Sequence, residues 1–241
     1  MRIHYLQHIA LEHPGCILGW AAQRGHTVTR TLLYQNEVLP GAEQFDWLII
    51  MGGPMNIYEE KIYPWLQPEK ALIRVAIASG KVVIGLCLGS QLIADVLGGR
   101  VTRNSEPEIG WIPVRWCAAA QKHELFSFFP ETSIVFQWHY DTFSLLPPQA
   151  IVLAGSEACA NQLFMYRDRV FGFQFHLENT EEMLYGYIEE GGAEMKPARY
   201  VQTPEQVIAG AGDGYLELNN LWMAEFLSRL EAREVAAGWS R

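Results

Sequence analysis

Apolar and polar positions follow a strand-helix rhythm over the first hundred residues. Residues 2–8 alternate as a strand, 14–24 have helical periodicity, and 27–33 alternate as a second strand. The runs 47–51 and 82–86 are almost entirely apolar, which is typical of parallel strands that helices cover on both faces. Repeated strand-helix-strand units imply right-handed crossovers and a ligand crevice at the carboxyl ends of the strands.

The rest of the pattern adds shorter strands and then helices. Strand-like runs that could extend the sheet or form an antiparallel edge cover residues 112–116, 133–138, 151–155, 162–166 and 170–175. After residue 179 the periodicity is helical, over residues 181–190, 204–209 and 215–234. The pattern predicts an α/β fold: a flavodoxin-like, doubly wound, mostly parallel sheet with an antiparallel edge and C-terminal helices.

The last helical segment carries an apolar stripe that must be covered. Met223 and Leu227 lie near one face of it, and Leu221 widens the stripe. We therefore expect residues 1–179 to form the α/β domain and residues 180–241 to form a helical extension packed on that domain, unless a second subunit covers it.

A cysteine between two glycines stands where a buried strand meets a helix. Cys87 follows the apolar run 82–86, and helical periodicity begins at Leu88. Gly85 and Gly89 permit the sharp turn because they have no side chains. The amide groups at the start of the helix favour the thiolate, so Cys87 is predicted to be a nucleophile.

A base and an orienting carboxylate are found in a later strand. His176 ends the alternating run 170–175, and Glu178 follows two residues later, so both side chains of an extended chain point to the same side. Glu178 can then orient His176, and His176 can take a proton from Cys87. This is the arrangement of a catalytic triad.

A glycine loop follows the apolar run 47–51. Gly53 has no Cβ, so its backbone amide can approach a ligand closely. Together with the amide of Leu88, it could form an oxyanion hole above Cys87. A tight turn without chemistry at residues 52–54 is the alternative interpretation.

Three motifs in this order resemble those of the class I, or triad, glutamine amidotransferases. They are the Gly-Gly-Pro loop at 52–54, the Gly-x-Cys-x-Gly-x-Gln elbow at 85–91 and the Gly-x-Gln-Phe-His-x-Glu strand at 172–178. Segments 108–111 and 138–143 are similar to those of the free-standing, GMP synthase-like branch of the family. The family commonly has proline between the histidine and the glutamate, where this chain has Leu177.

The resemblance implies hydrolysis of the γ-amide of glutamine, or of a related γ-glutamyl compound, through a γ-glutamyl thioester on Cys87. It also implies substrate binding by Gly52, Met55, Gln91, Tyr140 and Asp141. No cofactor is needed for this chemistry. His139 and Asp141 are too few ligands to indicate a metal site, so no metal is expected.

Charge and cysteine content narrow the partners and the location. The 241 residues carry a formal net charge of −9, and no basic run could neutralise phosphates, so nucleic acid is not an expected partner. The four cysteines are widely separated, and no apolar run could span a bilayer. We expect a cytoplasmic protein that binds a small molecule and does not enter a membrane.

Three functions remain open from the sequence. The chain could be an amidotransferase subunit or stand-alone glutaminase, a γ-glutamyl peptide or amide hydrolase, or a binding module without catalysis. It has neither Gly-x-x-x-x-Gly-Lys-Ser/Thr nor Ser-Gly-Gly-x-Asp-Ser, so a synthase that used released ammonia would be a separate protein partner. A homodimer is also left open.

Overall fold

Nine strands form one mixed sheet in the computed structural model, which describes residues 1–238, with Glu194 described by its backbone alone. The strands are β1 Arg2–Gln7, β2 Thr27–Leu32, β3 Trp47–Ile50, β4 Val82–Leu86, β5 Arg100–Trp116, β6 Thr132–Leu145, β7 Ile151–Gly155, β8 Leu163–Tyr166 and β9 Val170–Phe173. The helices are α1 Cys16–Gln23, α2 Leu66–Ala78, α3 Leu88–Val96, α4 Ala118–Lys122, α5 Glu181–Gly191, α6 Pro204–Gly212 and α7 Tyr215–Ala236.

The sheet has a parallel half and an antiparallel half. The strand order is β2-β1-β3-β4-β9-β8-β7-β5-β6, with parallel pairing from β2 to β9 and antiparallel pairing from β9 to β6. Residues of α1 and α7 pack on one face, and residues of α2 and α3 pack on the other. The predicted α/β fold, with a parallel core, an antiparallel part and C-terminal helices, is confirmed.

Strands β5 and β6 are much longer than their apolar runs predicted. The pattern indicated only residues 112–116 and 133–138, but β5 begins at Arg100 and β6 ends at Leu145. The additional residues pair with each other in an antiparallel ribbon in which many positions are polar and partly exposed. Apolar alternation marks only the part of a strand that packs on a core, so it missed the ribbon.

Helix α7 packs against the α1 face of the sheet. Met223, Phe226 and Leu230 are fully buried there, and the indole nitrogen of Trp20 donates to Ser228 Oγ at 3.0 Å. Leu221, expected to widen the apolar stripe, is 60% exposed, because the buried arc of the helix is narrower than the predicted one. The division of the chain at residue 179 stays a prediction.

The order of the parallel strands brings four loops to one edge of the sheet. Strands β1, β3, β4 and β9 are consecutive neighbours, and in the β4/β9 pair Leu86 lies opposite Phe173. The carboxyl ends of parallel neighbours lie at the same edge. The segments that follow these strands carry His8, Gly53, Cys87 and His176.

Candidate active site

Cys87 occupies a tight turn between β4 and α3. Its backbone has φ 48° and ψ −108°. This conformation is unfavourable for any residue other than glycine, so it is strained at a cysteine. A Cβ at Gly89 would overlap the carbonyl of Ile50, and one at Gly85 would overlap the backbone of Gly89. The two glycines therefore let the strand and the helix pack closely beneath the cysteine.

His176 lies between Glu178 and Cys87. His176 Nδ1 and Glu178 Oε1 are 2.7 Å apart, and the imidazole lies close enough to the Cys87 thiol to lower the pKa of the thiol. The thiol donates to Trp138 O at 3.8 Å. His176 and Glu178 are almost completely buried, and the backbone of His176 is fixed by donation to Phe136 O at 2.9 Å. Leu177, in the place of the family's proline, is compatible with this contact.

Burial and hydrogen bonding set the protonation of the pair. Burial raises the pKa of the Cys87 thiol, while its hydrogen bond to His176 and the amide of Leu88 act in the opposite direction. The amide of Leu88 thus acts in the direction predicted for the helix start, but burial outweighs it. Burial lowers the pKa of His176, but attraction to Glu178 and the hydrogen bonds of the ring outweigh burial and raise this pKa well above its ordinary value. His176 is suited to hold a proton that Cys87 gives up.

A buried histidine holds the glycine loop after β3. His8 Nδ1 lies 2.9 Å from Gly52 O, and His8 Nε2 lies 2.9 Å from Glu69 Oε1, with both side chains fully buried. The peptide between Gly52 and Gly53 is trans, so its N–H points away from the carbonyl that His8 holds. This contact could not be predicted from the sequence, because His8 and Glu69 are far apart along the chain.

One cavity of about 1040 Å³ lies over the cysteine. Of the predicted site residues, those that line it are Gly53, Met55, Cys87, Leu88, Gln91, Tyr140, Asp141 and His176. Gly52 and Glu178 lie behind the wall. Gln91 Nε2 donates to Asp141 O at 3.1 Å, so these two predicted substrate-binding residues are already in contact.

Glu12 and Tyr187 line the same cavity and were missed by the sequence analysis. Glu12 follows β1, and a Cβ at Gly52 would overlap its carboxylate. Burial raises the pKa of Glu12 to about 7, although His176 and His8 act to lower it. Tyr187 belongs to α5, so the helical extension also contributes to the cavity. A lone glutamate in a loop and a tyrosine on an amphipathic helix have no pattern that sets them apart.

A second buried histidine supports the other side of the cavity. His139 Nδ1 lies 3.0 Å from Asp141 O, and its Nε2 lies 3.1 Å from Glu108 Oε2. Gln162 also donates to that carboxylate oxygen, at 2.7 Å. This network joins β5, β6 and the segment before β8, and it holds the part of β6 that carries Tyr140 and Asp141.

Comparison with known proteins gives consistent matches. The model of the family "Glutamine amidotransferase class-I" matches residues 21–185. The chain is 37% identical over 235 residues to the glutamine amidotransferase-like protein YfeJ of Salmonella typhimurium strain LT2, covering 95% of this chain and 97% of that protein. It is 33% identical over 132 residues to the GMP synthase [glutamine-hydrolyzing] of Caldicellulosiruptor saccharolyticus, covering 54% of this chain but 24% of that protein.

Solved structures agree with the sequence matches. The crystal structure of a glutamine amido transferase from Methylobacillus flagellatus superposes with a TM-score of 0.89 at 30% identity, covering 96% of this chain and 94% of that chain. A glutamine amidotransferase from Thermotoga maritima gives a TM-score of 0.85 at 29% identity, with coverages of 95% and 97%. Among residues 1–238, no helix has both the length and the apolar character to cross a bilayer.

Proposed function

The chain belongs to the class I glutamine amidotransferase family, and we propose that it hydrolyses the γ-amide of glutamine, or of a related γ-glutamyl compound, through Cys87, His176 and Glu178. The observation that carries the proposal is the order Glu178, His176, Cys87: the imidazole lies 2.7 Å from the carboxylate and beside the thiol, at the wall of a cavity. A nucleophile, a base and an orienting carboxylate in this order perform acyl transfer.

In the first half of the reaction, the substrate carbonyl lies over Cys87. His176 takes the thiol proton as the sulfur attacks, and the backbone amides of Gly53 and Leu88 donate to the negative oxygen of the tetrahedral intermediate. The intermediate collapses when His176 gives the proton to the departing nitrogen. The carbon-nitrogen bond breaks, and a γ-glutamyl thioester remains on the sulfur.

In the second half, water replaces the amine that has left. His176 accepts a proton from this water as its oxygen attacks the thioester, and the thiol is restored when glutamate departs. Glu178 keeps the imidazole in the correct orientation in both halves and stabilises its positive charge. The elevated pKa of His176 fits this role, because the imidazolium is the form that both halves pass through.

The acyl part of the substrate is assigned to one side of the cavity. Met55, Gln91, Tyr140 and Asp141 line this side, and we propose that they hold the α-amino and α-carboxylate groups, with Gly52 supporting the loop beside them. Gln91 Nε2 donates to Asp141 O, so these two residues are positioned together on this side.

Two alternatives differ in what happens to the nitrogen. The size of the cavity favours a γ-glutamyl peptide or amide hydrolase as the second candidate, because about 1040 Å³ is at the upper end of the range for sites that hold drug-sized ligands. An ammonia-donating subunit of a separate synthase is the other. A protein partner, a homodimer and a cytoplasmic location remain predictions.

The proposal is tested by measuring ammonia release from glutamine by the purified chain. Cys87→Ala should abolish turnover and keep the fold, whereas Cys16→Ala, the matched control, should keep both. Burial raises the pKa of Cys16 to about 12, and Cys16 does not line the cavity. Glu178→Gln should reduce turnover less than His176→Ala, since only the histidine transfers the proton.

Chemical labelling gives an independent test. A glutamine-like diazoketone should modify Cys87 and leave Cys16, Cys117 and Cys159 unmodified. Modification of another cysteine with Cys87 untouched would contradict the mechanism. Negligible turnover of every γ-glutamyl substrate, restored only by a protein that co-purifies from lysate, would instead establish a synthase subunit.

A further inference from the structure

The position of His176 divides the cavity into an acyl side and a leaving-group side. A group that protonates the departing nitrogen must lie within hydrogen-bond reach of it. Whatever is bonded to that nitrogen therefore extends along the cavity wall around His176. Gln91 and Asp141, which are assigned to the acyl part, contact each other.

The wall around His176 is formed by Glu12 and by helix α5. A Cβ at Gly52 would overlap the Glu12 carboxylate and lie 3.3 Å from Cε1 of His176, so the carboxylate sits beside the imidazole. Tyr187 contacts the same ring, with 6.1 Å between centroids. Glu190 lies one turn further along α5 and lines the cavity. Its negative charge raises the pKa of Glu12.

The hydroxyl of Tyr187 makes no hydrogen bond of normal geometry among the described residues, and the Glu12 carboxylate is the polar group that acts on it. The side chain is 6% exposed, lines the cavity and lies near Glu12. A buried hydroxyl without a partner costs free energy unless a ligand or water completes it. Its ring is fixed by stacking on Trp138 at 5.3 Å, so the hydroxyl has a defined direction.

The charge on this side of the cavity is negative when Glu12 is ionised, and burial raises the pKa of Glu12 to about 7. The charged groups that shift the pKa of Glu12 are His176, His8, Glu178 and Glu190. Each of the two histidines is paired with another carboxylate, His8 with Glu69 and His176 with Glu178. Lys196 is the cation that lines this side, and it is exposed. Arg103 lies over the ring of Tyr140 at 4.4 Å and so belongs to the acyl side. An ammonium group would compensate the two carboxylates, and a carboxylate would be repelled by them.

We propose that Glu12, Tyr187 and Glu190 form a leaving-group subsite for a positively charged amine. The inference rests on the proposed hydrolysis and specifies its substrate class: γ-glutamyl amides whose amine carries a second, cationic group are preferred to γ-glutamyl peptides, whose leaving amino acid carries a carboxylate. The amide bond breaks as described above, and His176 supplies the proton that the departing nitrogen takes. The second amine is not changed and only binds.

The test uses three amides of equal length that differ in terminal charge: the γ-glutamyl amides of 1,5-diaminopentane, pentylamine and 5-aminopentanoate. We expect kcat/KM to fall by at least tenfold from the cationic to the anionic compound, with the neutral one between them. Glu12→Gln and Glu190→Gln should each reduce the preference several-fold. Glu189→Gln is the matched control, because it removes the same charge from the same helix at a residue that does not line the cavity.

Binding separates the failure of this inference from the failure of the proposed function. The Kd of each amide is measured with Cys87→Ala, which needs no turnover. Tighter binding of the cationic amide that Glu12→Gln weakens supports the subsite even where no hydrolysis occurs. Equal binding of the three amides, or tightest binding of the anionic one, overturns the subsite while leaving glutamine hydrolysis unaffected. Tyr187→Phe should weaken binding of the cationic amide and leave the fold intact, because only the hydroxyl is removed and the ring keeps its stacking on Trp138.

Discussion

His8 offers a test of how the glycine loop is held for catalysis. Its two nitrogens face two acceptors, Gly52 O and Glu69 Oε1, each at 2.9 Å. A ring can donate to both only as an imidazolium. Burial opposes that charge, but attraction and hydrogen bonding to Glu69, together with the bond to Gly52, raise the pKa of His8. The charged ring thus holds the Gly52 carbonyl and directs the Gly53 amide to the opposite side.

Paired substitutions remove the contact without leaving a buried charge. Replacing His8 alone would leave Glu69 unpaired, at a cost of about 3–5 kcal/mol in stability. In His8→Leu with Glu69→Gln, nothing holds the Gly52 carbonyl. Loss of one oxyanion donor lowers kcat by about 10²–10³-fold, or roughly 3–4 kcal/mol of transition-state stabilisation. In His8→Asn with Glu69→Gln, the asparagine nitrogen replaces Nδ1, and we expect a loss of under about tenfold.

The assay is steady-state hydrolysis of glutamine, with the urea midpoint of each pair measured alongside. The Leu pair should lose kcat while KM changes little, because the oxyanion forms only in the transition state. If His8 had only a structural role, the urea midpoint and the amount of active enzyme would fall equally in the Leu pair and in the Asn pair. The interpretation fails if the folded Leu pair keeps kcat within about threefold of the parent, or if the Asn pair is no better than the Leu pair.

Three further predictions concern packing and charge. Gly89→Ala should abolish turnover and lower the unfolding temperature, because the new Cβ would overlap Ile50 O. The control is Gly19→Ala in α1, where a Cβ has no neighbouring atom within 4 Å, and this change should raise the free energy of unfolding by up to about 1 kcal/mol. Glu12→Gln should raise the free energy of unfolding by about 2–3 kcal/mol at pH 7.5 and much less at pH 5. The reason is that the pKa of the Glu12 carboxyl is raised from 4.5 to about 7, so the folded parent protein loses stability as the pH rises between these values. An equal effect of the substitution at both pH values in urea titrations would refute this. Truncation after Asn179 should give insoluble protein, because α7 buries core residues, and a soluble, active truncation would contradict it.

The candidate site residues whose position is signalled by their neighbours along the chain could be predicted from the sequence. Cys87 between its glycines and His176 two residues before Glu178 were singled out because neighbours along the chain carry the signal. Their assembly into one line followed from a general property of parallel sheets, whose strand ends share an edge.

Residues whose role depends on distant contacts could not be predicted. The partner of His8 is Glu69 on α2, and Glu12 matters because Gly52 and His176 lie beside it. Burial of Cys87 likewise depends on elements far along the chain, and it raises the pKa of the thiol although the amide of Leu88 lowers it as the helix-start argument predicts. Local charge arguments cannot include desolvation, which is set by the complete fold.

The helical extension bears on whether the chain acts alone. Trp138 lies in β6 and lines the cavity, and a Cβ at Gly191 would lie 2.7 Å from its Cζ2. Tyr187 stacks on the same indole at 5.3 Å. The predicted division at residue 179 thus separates Trp138 from the helix that covers it. An enzyme whose own helix forms this wall has less need of a partner to order its cavity, which favours turnover by the isolated chain. Gly191→Leu, which would push α5 from Trp138, should therefore impair hydrolysis of the cationic amide more than Gly212→Leu, where no neighbour lies within 4 Å.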